Sequence, residues 1–226
     1  MEFYAERIVK SALNIKAIKL NPEKPFIWAS GYQMPIYNDN RMLLFYPSCR
    51  ELISEGFINL IKEKQIKNID VIAGTSTAGI SPATTLADKL ELPLIYVRDK
   101  PKDHGLKNQI EGIDANSDLL YKGVILIEDL ISTGGSSIKA VEAIRNAKGE
   151  CFKCLSIFNY GFKQAENEFK FINCKLYSVL DYDTLLKIAK EIGYINSNQE
   201  KMLAEWREDP FNWGEKHGFP KIEKAK

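Results

Sequence analysis

Apolar positions recur at helical spacing in residues 2–19, where Ala5, Ile8, Val9, Ala12 and Leu13 fall on one face. Residues 48–65 repeat that spacing with Leu52, Ile53, Phe57, Leu60 and Ile61. Between them lies NPEKPFIWASGYQMPIYNDNR, an irregular piece rich in Pro, Gly and aromatic residues. From residue 69 the pattern changes. Short apolar runs stand at 69–73, 93–97, 123–128, 153–158 and 175–180, as expected of strands buried on both faces. Helical stretches separate most of them, at 77–91, 135–147 and 162–170, and further helices are expected at 184–192 and 198–206. Strands alternating with helices predict an α/β fold, a parallel central sheet flanked by helices with right-handed crossovers. Residues 1–226 are expected to form a single domain. It divides into a small N-terminal hood, mainly 1–45, a core over about 46–195, and a C-terminal helix and tail over 196–226.

Composition narrows the function classes. Lys and Arg number 31 against 30 Asp and Glu, for a formal net charge of +1. No global basic field holds nucleic acid, so anion chemistry must come from local clusters. The N-terminal MEFYAERIVK has no uninterrupted apolar stretch and does not read as a secretory signal. No apolar run is long enough to span a bilayer, and a soluble, cytoplasmic protein is expected. Of the four cysteines, Cys151 and Cys154 form C-x-x-C, but a second pair is missing and both histidines lie far off. CFKCLSIF reads as a strand, whose positions three apart face opposite ways, so buried or surface thiols are expected rather than a chelating pair.

Ligands of parallel sheets bind beyond the carboxyl ends of the strands, which directs attention to the loops there. Two look alike. One runs from Val71–Gly74 into Thr75-Ser76-Thr77-Ala78-Gly79, the other from Val124–Ile127 into Glu128 and onward to Ser136. Both lead from strand through small hydroxyl residues and glycine to helix, as two anion sites on one sheet edge.

The second is the more informative. After Ile127 the strand is expected to give way to a surface loop with two carboxylates, Glu128 and Asp129. Leu130 and Ile131 follow, then a turn of Ser132, Thr133, Gly134, Gly135 and Ser136. Glycines allow close backbone approach, and the N–H groups of the helix start with the hydroxyls can cradle a phosphate. Two acids beside an anion would repel it unless they hold something neutral or cationic. Vicinal ribose hydroxyls suit them, because an ionised carboxylate only accepts hydrogen bonds. The loop therefore reads as a ribose-phosphate site. No Lys follows Gly134-Gly135, so the G-x-x-x-x-G-K-[ST] loop of nucleoside triphosphate hydrolases is absent.

EDLISTGGS, Glu128 to Ser136, resembles the phosphoribosyl pyrophosphate motif of the type I phosphoribosyltransferases. The resemblance implies that the acids hold the ribose hydroxyls and the turn holds the 5-phosphate. YVRDKPKDHGLKNQIEG, 96–112, resembles the mobile catalytic loop of the orotate phosphoribosyltransferases, a polar lid with no reason to pack on a core. It implies that Arg98, Lys102 and His104 contact pyrophosphate; Asp99 departs from members with Lys there and receives no role. PFIWASGYQMPIYNDNR resembles the family's orotate-contacting segment F-x-x-x-SG-x-x-SP-x-Y-x-D-x-R, matching at Ser30-Gly31, Pro35, Tyr37, Asp39 and Arg41. Ala29 and Gln33-Met34 depart from it. Ser132 is also given to orotate by the family pattern.

The resemblance runs from about Phe3 to Gly214, including EWREDPFNWG. It implies transfer of a 5-phosphoribosyl group from phosphoribosyl pyrophosphate to orotate, with Mg²⁺ held mainly through substrate oxygens, in a homodimer with shared sites. The rival readings are a phosphoribosyltransferase for another base and an inactive nucleotide-sensing regulator. Lid cations and near-zero net charge argue against the second.

Overall fold

A computed structural model describes residues 2–100, 109–114 and 118–223. In chain order its elements are α1 (Glu2–Asn14), β1 (Ile18–Leu20), β2 (Phe26–Ile27), β3 (Gln33–Met34), β4 (Ile36–Asn38), a 3-10 helix (Asn40–Phe45), α2 (Pro47–Glu63), β5 (Val71–Thr75), α3 (Ile80–Leu90) and β6 (Leu94–Val97). Then come β7 (Ile110–Glu111), β8 (Gly123–Ile131), α4 (Gly135–Asn146), β9 (Glu150–Asn159), α5 (Lys163–Phe171), β10 (Lys175–Asp181), α6 (Tyr182–Glu191), α7 (Ser197–Glu208) and α8 (Pro210–Lys216).

The main sheet has the order β10-β9-β8-β5-β6-β7 among the described residues. All its pairings are parallel, as expected of the central sheet, except β6 with β7, a short antiparallel pair added at the edge. Alternation along each strand divides its side chains between two cores. Ile72, Ile125, Ile127, Leu155 and Ile157 point to one cluster, shared with α1, α2, α3 and α6. Val71, Ala73, Val124, Leu126 and Cys154 point to the other, beneath α4 and α5. The order of strands reverses between β5 and β8, which lie side by side. Their carboxyl ends form the crevice in which such sheets bind ligands.

Three expectations change. The first helix stops at Asn14 rather than 19, because Lys16 takes a left-handed backbone (φ 62°) and Ile18–Leu20 pairs with β4 instead. The irregular piece before residue 45 contains the antiparallel pairs β1–β4 and β2–β3, too short for periodicity to announce. Cys151 and Cys154 do not face opposite ways. The register between β8 and β9 slips by one residue after Gly123–Glu150, and this bulge turns both thiols into the same core cluster, with Cys174. All four cysteines are free and buried.

The C-terminal segment closes over β2 and β3. The Trp206 indole N–H donates to Met34 Sδ at 3.0 Å, Gln33 Nε2 to the Pro220 carbonyl at 2.8 Å, and the Ile222 amide to the Gly31 carbonyl at 3.0 Å.

Candidate active site

Strand β8 does not end at Ile127. It pairs with β9 as far as Ile131–Asn159, so Glu128 and Asp129 are strand residues rather than members of a surface loop. Glu128 is only 5% exposed. Its Oε2 accepts from the buried Ser137 hydroxyl at 2.9 Å and its Oε1 from the Asp129 amide at 3.0 Å. Burial pushes the Glu128 carboxyl up to about 7, with Asp129 beside it acting the same way and hydrogen bonds from Thr75 and Ser137 opposing. Asp129 is partly buried on the opposite side of the pleat. Its carbonyl accepts from Nδ2 of the buried Asn40 at 2.8 Å, which ties the 3-10 segment to the end of β8.

At the end of the strand, Ile131 turns its side chain into the core, leaving only its backbone for a ligand. Gly134 then takes φ +84° and caps α4 without a side-chain bond. The hydroxyls of Ser132, Thr133 and Ser136 have no hydrogen-bond partner among the described residues, and Gly135 and Ser136 are exposed. A helix start with open N–H groups, flanked by unpaired hydroxyls, is an anion cradle.

The turn after β5 stands next to it. A Cβ on Gly79 would collide with the Thr75 hydroxyl and come within 2.5 Å of the Ile127 carbonyl, so glycine there lets the two loops approach. Thr75 is buried and its hydroxyl donates to the Ile127 carbonyl at 3.3 Å. The Ser76–Thr77 peptide is cis.

On the other side of β8 opens a cavity of about 520 Å³, lined by Ile27, Trp28, Ala29, Ser30, Tyr37, Asn38, Leu130, Ser132 and Tyr160. It brings Ser30 and Tyr37 together with Ser132, as the resemblance implied. Gly31 does not line it; it makes the β2–β3 turn at φ +85°. Trp28 is fixed by its indole donating to the Ile36 carbonyl at 2.9 Å and by rings of Tyr160 and Trp206 about it. Lys19 Nζ lies 5.4 Å above the Tyr37 ring. Asp39 binds Arg41 through two side-chain bonds of 2.7 and 3.0 Å, which hold its carboxyl below the usual range. Trp28 and Asn38 lie within the segment that resembles the orotate-contacting one, though neither is among its matching positions, and Tyr160 escaped the sequence reading. Tyr160 directly follows β9, another strand end at the same sheet edge, and that position was the available signal.

The two ends of the polar loop are strand, not lid. Val97 of β6 and Ile110 of β7 are buried and paired. The hairpin is clasped at its base, where the Arg98 amide donates to the Gln109 carbonyl and Gln109 Nε2 to the Arg98 carbonyl, both at 2.9 Å. The Arg98 guanidinium stays half exposed, 3.4 Å from Glu111. Lys102 and His104 lie outside the described residues.

Residues 45–183 match the model of the phosphoribosyl transferase domain. The chain is 44% identical over 212 residues to orotate phosphoribosyltransferase of Cytophaga hutchinsonii, covering 93% of this chain and 98% of that one. It is 46% identical over 205 residues to the enzyme of Staphylococcus aureus strain Mu50, covering 91% and 98%. In fold it is similar to the crystal structure of orotate phosphoribosyltransferase from Aeropyrum pernix, with a TM-score of 0.69 and 24% identity over 84% of this chain and 99% of that one. The paired loops, the buried acid and the aromatic cavity thus stand in a member of the orotate phosphoribosyltransferase family.

Proposed function

We propose that the protein transfers the 5-phosphoribosyl group of phosphoribosyl pyrophosphate to N1 of orotate, giving orotidine 5-monophosphate and pyrophosphate. The observation that carries this reading is the meeting, at one sheet edge, of an open phosphate cradle, an acidic pair and an aromatic-walled cavity, joined through Ser132. The turn 132–136 takes the 5-phosphate on its hydroxyls and the α4 N-terminus. Asp129 takes the ribose hydroxyls directly. Glu128, already bonded through both oxygens, has lone pairs left for one further donor. The flat base lies between Trp28, Tyr37 and Tyr160, with the Ser30 and Ser132 hydroxyls and the Lys19 charge available to its carboxylate.

Breaking the anomeric bond leaves a cation-like sugar and a highly charged pyrophosphate. Arg98, Lys102 and His104, the family's cationic set, supply donors to that leaving group, each worth roughly 10²–10³ in rate. The turn 75–79 offers it further N–H and hydroxyl donors. Among the described residues no cluster of three His, Cys, Asp or Glu could hold a metal ion, and Asp129 is the carboxylate open to one. That donor set fits Mg²⁺ arriving on substrate oxygens, where it neutralises pyrophosphate charge. No residue acts as a covalent nucleophile; positioning and electrostatics suffice.

The working form we propose is a cytoplasmic homodimer. Phe45 is 81% exposed, with Met42 and Tyr46 also exposed beside it. The same segment reaches Asp129 through Asn40, so a second copy covering these rings would sit beside the active site. Among the described residues no helix is long and apolar enough to cross a membrane. A panel of orotate, uracil, hypoxanthine and adenine, each with phosphoribosyl pyrophosphate and Mg²⁺, tests the reading through pyrophosphate release. Orotate should be preferred by at least about 10²-fold; preference for another base overturns the assignment.

A further inference from the structure

Outside the active site the fold gathers three of the four cysteines. Cys151 and Cys154 of β9, and Cys174 just before β10, fall in the core cluster beneath α4 and α5. Cys151 and Cys174 stand on neighbouring parallel strands near their amino ends, where Lys175 pairs with Lys153. Adjacent strands lie about 4.8 Å apart, which suits the Cα separation of about 5.5 Å that a disulfide spans. One guanidinium holds the two backbones together. Arg145, in the last turn of α4, donates to the Cys151 carbonyl at 3.0 and 2.7 Å. It also donates to the carbonyls of Ile172 and Asn173, immediately before Cys174, at 2.6 and 3.3 Å. The Cys151 thiol lies within hydrogen-bonding reach of the Cys174 sulfur. That contact, with the charges of Arg145 and Lys153, holds the Cys174 thiol below its ordinary value in spite of burial. The same contact pushes Cys151 up, and burial does so for Cys154. Cys174 borders a cavity of about 540 Å³ between α5 and β10, with Phe169, Asn173, Lys175 and Tyr177, whereas Cys151 and Cys154 are sealed from solvent.

We infer that Cys174 and Cys151 form a peroxide-oxidisable thiol pair, Cys174 the attacking sulfur and Cys151 the resolving one. The Cys174 thiolate attacks one oxygen of hydrogen peroxide, the O–O bond breaks, and the sulfur becomes a sulfenic acid. The departing hydroxide takes the Cys151 proton and leaves as water. The Cys151 sulfur then attacks Cys174, the S–S bond forms, and the OH of the sulfenic acid leaves as hydroxide, which takes up the proton that Cys174 first gave to solvent. Two thiols and one peroxide thus become one disulfide and two waters. Packing assigns the roles. Cys174 combines the lowered thiol with the cavity through which a small oxidant arrives, and the sealed Cys151 can react only with a neighbour. Arg145 grips the backbone at Cys151 and not at Cys154, so Cys151 is the thiol kept opposite Cys174. Chelation does not compete with this chemistry, because among the described residues no three His, Cys, Asp or Glu are placed to hold a metal ion.

The test needs only the unchanged protein. Exposure to a few equivalents of hydrogen peroxide is followed by N-ethylmaleimide in denaturant, then trypsin without reductant, and the peptides are weighed by mass spectrometry. Cleavage after Lys148, Lys153, Lys163, Lys170 and Lys175 puts each of the three cysteines in its own peptide. The expected product joins 149–153 to 171–175, two hydrogens lighter than their sum, and disappears on reduction. Cys49 is 5% exposed against 4% for Cys174 but belongs to the other cluster, which makes it an internal control. It should oxidise at least about tenfold more slowly than Cys174. In Cys151→Ala the link should vanish and dimedone should trap Cys174 as the sulfenic acid, while Cys154→Ala should form the link as before. The inference is overturned by peroxide that leaves Cys174 open to alkylation, that oxidises it no faster than Cys49, or that joins Cys154 in place of Cys151. Each readout is independent of turnover, so the thiol pair and the orotate reading stand or fall separately.

Discussion

Glu128 is an acid whose chemistry is set by its strand. With the folded carboxyl raised to about 7 by burial, against an ordinary value of 4.5, the folded state holds its proton where the unfolded chain has lost it. The stabilising contribution of the protonated form is therefore complete below about pH 4.5 and is lost as pH rises to about 7, a difference of about 3 kcal/mol. Ligand-free protein should lose stability over that window, and Glu128→Gln should flatten the profile; equal slopes in thermal melts of the two would contradict the assignment. Asp129 stands differently, partly exposed, with its backbone carbonyl held by Asn40. Asp129→Asn should weaken phosphoribosyl pyrophosphate binding about 10–100-fold by calorimetry with Mg²⁺, the worth of a charged hydrogen bond. Unchanged affinity would sink the ribose assignment. The identities of both acids were legible in EDLISTGGS, but their unequal burial was not. It depends on β9 continuing alongside to Asn159 and on Ser137 and Thr75 arriving from other elements.

At the scale of elements the apolar runs located every long strand and helix of the core, because burial on both faces leaves an unbroken signature. What periodicity could not register were pieces of two or three residues, and the bulge in β9 that reverses side-chain parity at Cys151. The polar loop misled for a related reason. Two of its apolar residues, Val97 and Ile110, pair into β6 and β7, and they anchor the hairpin that carries Arg98. The contact between the β5 turn and β8 gives a direct test of how the two anion loops are joined. Gly79→Ala places a methyl group against Thr75 and the Ile127 carbonyl, and neither backbone strand can retreat. Stability should fall by about 1–3 kcal/mol in denaturant titration, with activity lost disproportionately because the turn carrying Gly79 is forced out of its place beside β8. A variant as active and as stable as the original would show that the close approach does no positioning.

For the whole molecule, the reversal of strand order between β5 and β8 explains why chemistry read from two separate stretches of sequence converges on one crevice. The resemblance in the N-terminal segment pointed to the same place, yet only the fold shows that residues 26–38, β8 and Tyr160 enclose one cavity, locked by the C-terminal tail at Gly31 and Gln33. Mixing Lys102→Ala protein with Asp129→Asn protein, each nearly inactive, should restore roughly a quarter of the sites once subunits exchange, since half the dimers are mixed and each has one intact site. Activity that stays at the level of the separate variants after proven exchange would place the cationic loop within its own chain. Phosphoribosyl transfer to orotate is tested directly by phosphorus NMR of purified protein with phosphoribosyl pyrophosphate, orotate and Mg²⁺. Pyrophosphate and orotidine 5-monophosphate should appear in equal amounts as the donor disappears, with Asp129→Asn at least about tenfold slower at subsaturating donor. Pyrophosphate release without the nucleotide, or the nucleotide forming from a different base while orotate stays untouched, would contradict it.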